Sequence, residues 1–245
     1  NLKSNQLTGN YSVSEPAPVV IETPKPVETK PTTTKGEVET FKSGDKTFSY
    51  TKIANDGSAL LKTAKLGTGA KDWACTKDNK TGLIWEVKTT DGGLRDMKNF
   101  YTNYTEDYPK CDWTDCEKDW KGKLGDSTNT DGFVKAVNKQ SLCGNSDWRL
   151  PENEELRSLV VCSDGKYTNL GKDEAGYICT SNSNNETTEF PTINKTYFPN
   201  TQADWFWSSS PSADYSYGAW YVTTTYGYSY YVNKYGNYNV RLVRG

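Results

Sequence analysis

Histidine is missing altogether from the 245 residues. That excludes Ser-His-Asp and Cys-His catalysis, histidine-ligated zinc or haem, and a histidine proton shuttle. Apolar residues make up only 34% of the chain, and none of them gather into the run of about 18 that a membrane-crossing helix needs. Charge of one sign is also lacking: 29 Lys and Arg stand against 31 Asp and Glu, leaving no basic field to hold nucleic acid or anionic lipid. No P-loop occurs, and no glycine fingerprint follows a strand-like segment. Carboxylates are plentiful, but no pair has the spacing of a general acid and base. Ser208, Ser209 and Ser210 have no histidine to activate them. The run from Asp126 to Gly132 resembles a calcium loop in composition yet lacks its bidentate glutamate, so it reads as a turn that caps a helix. The expectation is a protein that is not an enzyme, with no catalytic residue, no metal site and no cofactor.

Aromatic residues, by contrast, reach 13%, with 17 Tyr and 8 Trp, which sets the chain apart from a disordered composition. Six cysteines stand at 75, 111, 116, 143, 162 and 179. An even number without a CxxC pair or a histidine suits disulfides better than zinc. Spacing leaves the pairing open except for Cys162–Cys179, which closes a polar, glycine-containing loop. Disulfides imply an oxidising compartment. The chain opens at Asn1 with no initiator Met and no hydrophobic leader, and is read as a mature form from which an export signal has been removed.

Five of the ten prolines fall between Pro16 and Pro31, among Thr, Glu, Lys and Val. Such a run favours extended, solvated backbone, so residues 1–40 read as a Pro/Thr-rich disordered stalk or linker and residues 41–245 as the domain. Within the domain, Phe48–Ile53 and Thr81–Lys88 alternate as strands, the second with Leu83, Trp85 and Val87 on one face. Residues 89–128 read as long ordered loops pinned by cysteines. Asp131 is the expected cap of a helix carrying Phe133, Val134, Val137 and Leu142. Pro151 opens a second helix, capped by Asn153, with Leu156, Leu159 and Val160 as its buried stripe. Glu152, Glu154 and Glu155 suit the positive end of that helix. Ala219–Thr225, Tyr228–Asn233 and Tyr238–Arg244 are β-rich, with Gly227 and Gly236 as punctuation. Sheet, two helices and much loop make an α+β fold.

Nine tyrosines lie between Tyr215 and Tyr238, among Ser, Thr, Asn, Asp, Gly and Ala, with Lys234 the one charged amine. This is the composition of a paratope: Tyr supplies a large amphipathic contact area at low entropic cost, and Ser, Gly and Asn supply adaptable hydrogen bonds. The candidate ligand-binding set is Asp214, Tyr215, Ser216, Tyr217, Tyr221, Thr223, Tyr226, Tyr228, Ser229, Tyr230, Tyr231, Asn233, Tyr235, Asn237 and Tyr238. The bland alternative is a Tyr-rich strand that only pairs and packs. Trp205, Phe206, Trp207, Trp220, Val222, Val232, Val240, Leu242 and Val243 read as scaffold. Arg149, Arg241 and Arg244 read as paired or stacked within that frame.

Six motifs, Asp78-Asn-Lys-Thr-Gly-Leu-Ile-Trp85, Asp147-Trp-Arg-Leu-Pro151, Glu155-Leu156, Tyr197-Phe-Pro199, Phe206-Trp-Ser-Ser-Ser-Pro211 and Val240-Arg-Leu-Val-Arg244, occur in an order that resembles the Lcl C-terminal domain, a bacterial surface domain. The likeness spans about residues 70–245. It implies a C-type-lectin-like fold of the formylglycine-generating-enzyme type, with a mixed or antiparallel sheet. That enzyme's activity is not implied, because its catalytic cysteines come late in the fold and none follows Cys179 here. A narrower resemblance is to variable target proteins of diversity-generating retroelements, whose tails are rewritten by adenine-directed mutagenesis. From Asn codons that process yields Tyr, Ser, Thr, Asp, Gly, Ala and Asn but never Glu, Gln, Met, Trp or Lys. The non-scaffold positions from Ala213 to Asn239 obey this restriction, with Lys234 the exception and therefore fixed.

The resulting expectation is a surface-displayed binding protein on the bacterial exterior, held by a lipid anchor on a removed N-terminal cysteine. Its Tyr-rich tail at about 205–245 would take a protein or glycan ligand from another cell or surface. A fixed-ligand glycan or glycosaminoglycan adhesin and a structural surface subunit stand as alternatives. Lys234, Arg241 and Arg244 are a thin basic cluster for the former.

Overall fold

A computed structural model describes residues 36–103, 129–169, 177–179 and 189–245. The proline-rich run, Cys111, Cys116 and Asp126–Thr128 lie outside the described residues. The elements are Glu39–Ser43 (β1), Lys46–Ala54 (β2), Trp73–Asp78 (β3), Ile84–Glu86 (β4), Thr130–Lys139 (α1), Asn153–Ser158 (α2), Tyr167–Asn169 (β5), Tyr177–Cys179 (β6), Trp205–Pro211 (β7), Gly218–Thr223 (β8), Ser229–Asn233 (β9) and Val243–Arg244 (β10). The fold is α+β, and every strand pairing is antiparallel. Among the described residues three sheets form: β1-β2-β3-β4-β10, β5-β6 and β7-β8-β9.

Two apolar cores result. One gathers Ile53, Cys75, Phe133, Val137, Trp148, Trp207, Ala219, Tyr221 and Leu242; the other gathers Phe48, Tyr50, Trp85, Leu156, Leu159, Val160, Phe206, Val222 and Val243. Each of the two larger sheets therefore gives one face to each core, as a period-two side-chain pattern requires. Helix α1 covers the first core and α2 the second. Cys75 is bonded to Cys143 and Cys162 to Cys179, and no described cysteine is free. Gly227, at φ +82°, is required where it stands. A Cβ there would meet Val160 Cγ1 at 2.5 Å and Cys179 Sγ at 3.2 Å, so the β8–β9 hairpin lies directly on the disulfide.

Several local expectations are corrected. Asn129, not Asp131, caps α1: its backbone is extended, and its Oδ1 accepts from Gly132 N at 2.7 Å. Asp131 sits in the first turn and pairs with Lys135. Leu142 falls outside α1, in a 3₁₀ turn at Leu142–Gly144. Asn153 is inside α2, which Glu152 precedes; Glu152 N donates to Glu155 Oε2 at 2.7 Å. The last strand shrinks to Val243–Arg244, because Tyr238 and Asn239 make only single bridges to Tyr101 and Phe206. The sequence pattern assigns no strand at β1, β3, β5 or β6.

The three frame arginines are all engaged. Arg149 forms a two-pronged pair with Glu155, both bonds at 2.7 Å, and Arg244 pairs with Asp147. The Arg149 guanidinium holds the Glu155 carboxyl below its ordinary range. That contribution is in full force at neutral pH and is lost as pH falls through the depressed value. Glu155→Gln is expected to flatten the acid limb of a stability-versus-pH curve by less than about 1 kcal/mol, since Arg149 is partly exposed. An unchanged limb in urea titrations across acidic pH would count against the pair.

Arg241 is buried at the junction of the cores, together with Glu86 and Lys88. Its Nη1 donates to the main-chain oxygen of Glu86 at 2.6 Å and its Nη2 to Thr201 Oγ1 at 2.7 Å. The Glu86 carboxylate accepts from Lys88 Nζ and from Leu242 N, both at 3.0 Å. Lys88 thus pairs with the carboxylate while Arg241 is held by the main-chain oxygen of the same residue, and burial pushes both cations below their usual ranges.

Candidate ligand-binding face

The tyrosines divide by where the strands point them. Trp220 lies opposite Tyr231, and Gly218 opposite Asn233, so these side chains share one face near one end of the β7-β8-β9 sheet. At that end two turns meet: the β7–β8 connection carrying Asp214–Tyr217, and the turn after β9 carrying Tyr235 and Asn237. Asn233 Nδ2 donates to the Tyr215 hydroxyl at 3.1 Å, joining the two turns. Lys234 N donates to Tyr217 O and Lys234 O accepts from Asn103 N, which fixes the second turn to the frame. The Lys234 side chain is itself buried.

The rings are ordered against one another. Tyr230 and Tyr231 stack with centroids 4.8 Å apart and planes 11° from parallel. Trp220 meets Tyr231 edge-on at 5.4 Å, and Tyr215 meets Tyr217 at 6.1 Å. The neighbouring Tyr230 phenol, with Asp214 nearby, holds the Tyr231 hydroxyl above its ordinary range. Among the candidate residues on this face, Asp214 is the one acidic side chain and none is basic.

Of the candidates, Asp214, Tyr215, Ser216, Tyr230, Tyr235 and Asn237 are exposed and Tyr217, Tyr231 and Asn233 half-buried, all on this face, its two turns or the β9 edge. Tyr221, Thr223 and Ser229 are buried. They belong to the frame, a correction: alternation turns Tyr221 and Thr223 away from the Trp220–Tyr231 side, and Ser229, on that side, is covered opposite Val222 beside Asn153. Trp205 stacks on Tyr221 at 4.4 Å and 7°, and burial raises the Tyr221 hydroxyl, which is hydrogen-bonded to Tyr228. Tyr238 packs between Trp205 and Trp207, and Tyr228 is also half-buried, so both support the frame. Tyr226 sits at the opposite end of the sheet, on the β8–β9 hairpin, edge-on to exposed Phe190 at 5.5 Å. Trp220, read from the sequence as scaffold, is a half-buried member of the face. Its register opposite Tyr231 is the signal that reveals it.

Among the described residues no group of three Cys, Asp or Glu side chains is placed to hold a metal ion. The residues of the six motifs behave differently from the tail tyrosines. Trp85, Trp148, Leu150, Leu156, Tyr197, Phe198, Phe206, Trp207, Val240, Arg241, Leu242 and Val243 are all buried, so the shared pattern is the frame rather than the face. No curated protein and no solved structure matches the chain. The family model for the Lcl C-terminal domain matches residues 74–244, more than two thirds of the sequence and every one of those motifs; the chain belongs to that family.

Proposed function

We propose that the protein is a surface-displayed binding module that grips a macromolecular ligand with the face built from Asp214–Tyr217, Trp220, Tyr230, Tyr231, Asn233, Tyr235 and Asn237. Family membership fits a surface-associated domain, and the disulfides fit an oxidising exterior. The observation that carries the reading is the contrast between the buried motif residues and the exposed Tyr215, Tyr230 and Tyr235, which stand on the edge strand and the turns of the β7-β8-β9 sheet. Exposing several ordered aromatic rings has no folding benefit, whereas pre-ordered rings lower the entropic cost of binding. The C-type-lectin-like scaffold, a Pro/Thr-rich stalk ahead of β1 and a lipid anchor complete the proposal. So does diversification of the tail by a retroelement, since the outward positions carry the residue types that adenine changes in Asn codons produce. Sequencing codons 205–245 across a population tests that part: variation should fall on Asp214–Tyr217, Tyr230, Tyr231, Asn233, Tyr235 and Asn237 and spare Trp220 and Lys234.

The binding test separates face from frame. Tyr230→Ala, Tyr231→Ala and Tyr235→Ala together are expected to shift the unfolding free energy by no more than about 1 kcal/mol per site, while removing capture of whole cells or surface extracts by the immobilised protein. Tyr221→Ala is expected to cost about 3 kcal/mol or more in urea denaturation. If the triple variant unfolds, or captures the same material as the parent, the face is not the binding site.

A further inference from the structure

Resting on that reading, the charge and ring geometry of the face narrow what it binds. Between Trp205 and Val240 the charged residues are Asp214 and Lys234. Lys234 is only 8% exposed, so among the described residues the face offers a carboxylate and no accessible cation. Asp214 is exposed and forms no ion pair with any described residue. Its neighbour Tyr215 is tied to Asn233, which lies two residues beyond Tyr231 on the same sheet face. That bond brings the turn carrying Asp214 to the Tyr231 end of the ring pair, where the nearby Asp214 helps hold the Tyr231 hydroxyl above its ordinary range; Tyr230 stacks on Tyr231, and Trp220 meets it edge-on.

We infer that this corner receives an arginine side chain from a partner protein. A guanidinium is planar, weakly hydrated and always charged, so it stacks on a phenol face while its N–H fork reaches a carboxylate. The stacked pair presents Tyr230, 43% exposed, as the open plane. A lysine ammonium can sit over a ring but cannot lie flat on it and fork to a carboxylate at once, and a neutral sugar would use the plane but leave the carboxylate without an opposing charge. The half-buried rings behind exclude water from one side, which strengthens both contacts.

The test uses the full chain and two acetylated, amidated peptides of repeated Gly-Ser-Arg, one with arginine and one with citrulline at every arginine position. Citrulline keeps the shape and removes the charge. The arginine peptide is expected to bind about tenfold more tightly in biolayer interferometry and to weaken as salt is raised. Asp214→Asn is expected to abolish most of that preference, and Tyr230→Leu, which keeps apolar bulk but loses the ring, to reduce it severalfold. Near-UV circular dichroism identical to the parent establishes that both variants are folded. Equal binding of the two peptides, or a preference untouched by Asp214→Asn, overturns the inference. Surface material that the triple tyrosine variant loses but Asp214→Asn keeps would overturn it while leaving the binding face intact. Material still captured by the triple variant would overturn both.

Discussion

Glu86→Gln is expected to lower the unfolding free energy by about 3–5 kcal/mol, among the largest effects of any single substitution in the chain. The carboxylate is fully buried and faces Lys88 Nζ at 3.0 Å. It also accepts from Leu242 N, so it fastens the C-terminal segment to β4. An amide of the same shape leaves Lys88 and Arg241 buried together with no opposing charge. Desolvation of two like charges is far costlier than the loss of one hydrogen bond. Lys88→Met is expected to be milder, because Arg241 still opposes Glu86 and a methionine fills the space against Phe133. Urea denaturation of both variants gives the order directly. A Glu86→Gln protein within about 1 kcal/mol of the parent would mean that water reaches the cluster.

The second large effect concerns the disulfides. Cys75→Ala with Cys143→Ala is expected to cost about 4 kcal/mol, and Cys162→Ala with Cys179→Ala about 3 kcal/mol. The difference comes from the chain each closes: the cysteines are 68 positions apart in the first pair and 17 in the second. The first bond joins β3 to the turn after α1, so without it a long stretch of chain gains freedom only in the unfolded state. Denaturation midpoints of the two double variants under identical conditions check the order. A reversed order would place the greater weight on native packing at Gly227 and Val160, where the second bond lies under the hairpin.

The sequence makes legible the elements whose two sides differ. Helix α2 has a single apolar stripe, and Leu156, Leu159 and Val160 are all buried as that stripe predicts. The strand around Trp85 misleads for a physical reason. Leu83, Trp85 and Val87 look like the inward side and Glu86 and Lys88 the wet one, yet both sides face a core, and Leu83 is less buried than either charge. Nothing local distinguishes a solvated Glu–Lys pair from a buried one; the distinction depends on Arg241 arriving 155 positions later. The same limit applies to the tail. Composition identifies the tyrosines as a group, but which point outward is decided by register. Tyr221 and Tyr230 stand opposite one another on β8 and β9, and only the edge position of β9 leaves the second exposed. Strand β3 is not legible because Thr76 and Lys77 interrupt its apolar pattern, although Thr76 is buried and donates to Tyr197 O at 2.7 Å.

Strand β10 is short, but it pairs with β4 through Val243 and Arg244 on one side and bridges Arg149 on the other. The Tyr-rich stretch is thus encoded upstream of residues that complete the interior. A reading frame shifted anywhere between Tyr215 and Tyr238 leaves the chain without Arg241, Leu242 and Val243, and so without side chains that close both cores. Folding therefore discriminates between two kinds of change in this stretch: outward side chains can be exchanged, and frames cannot.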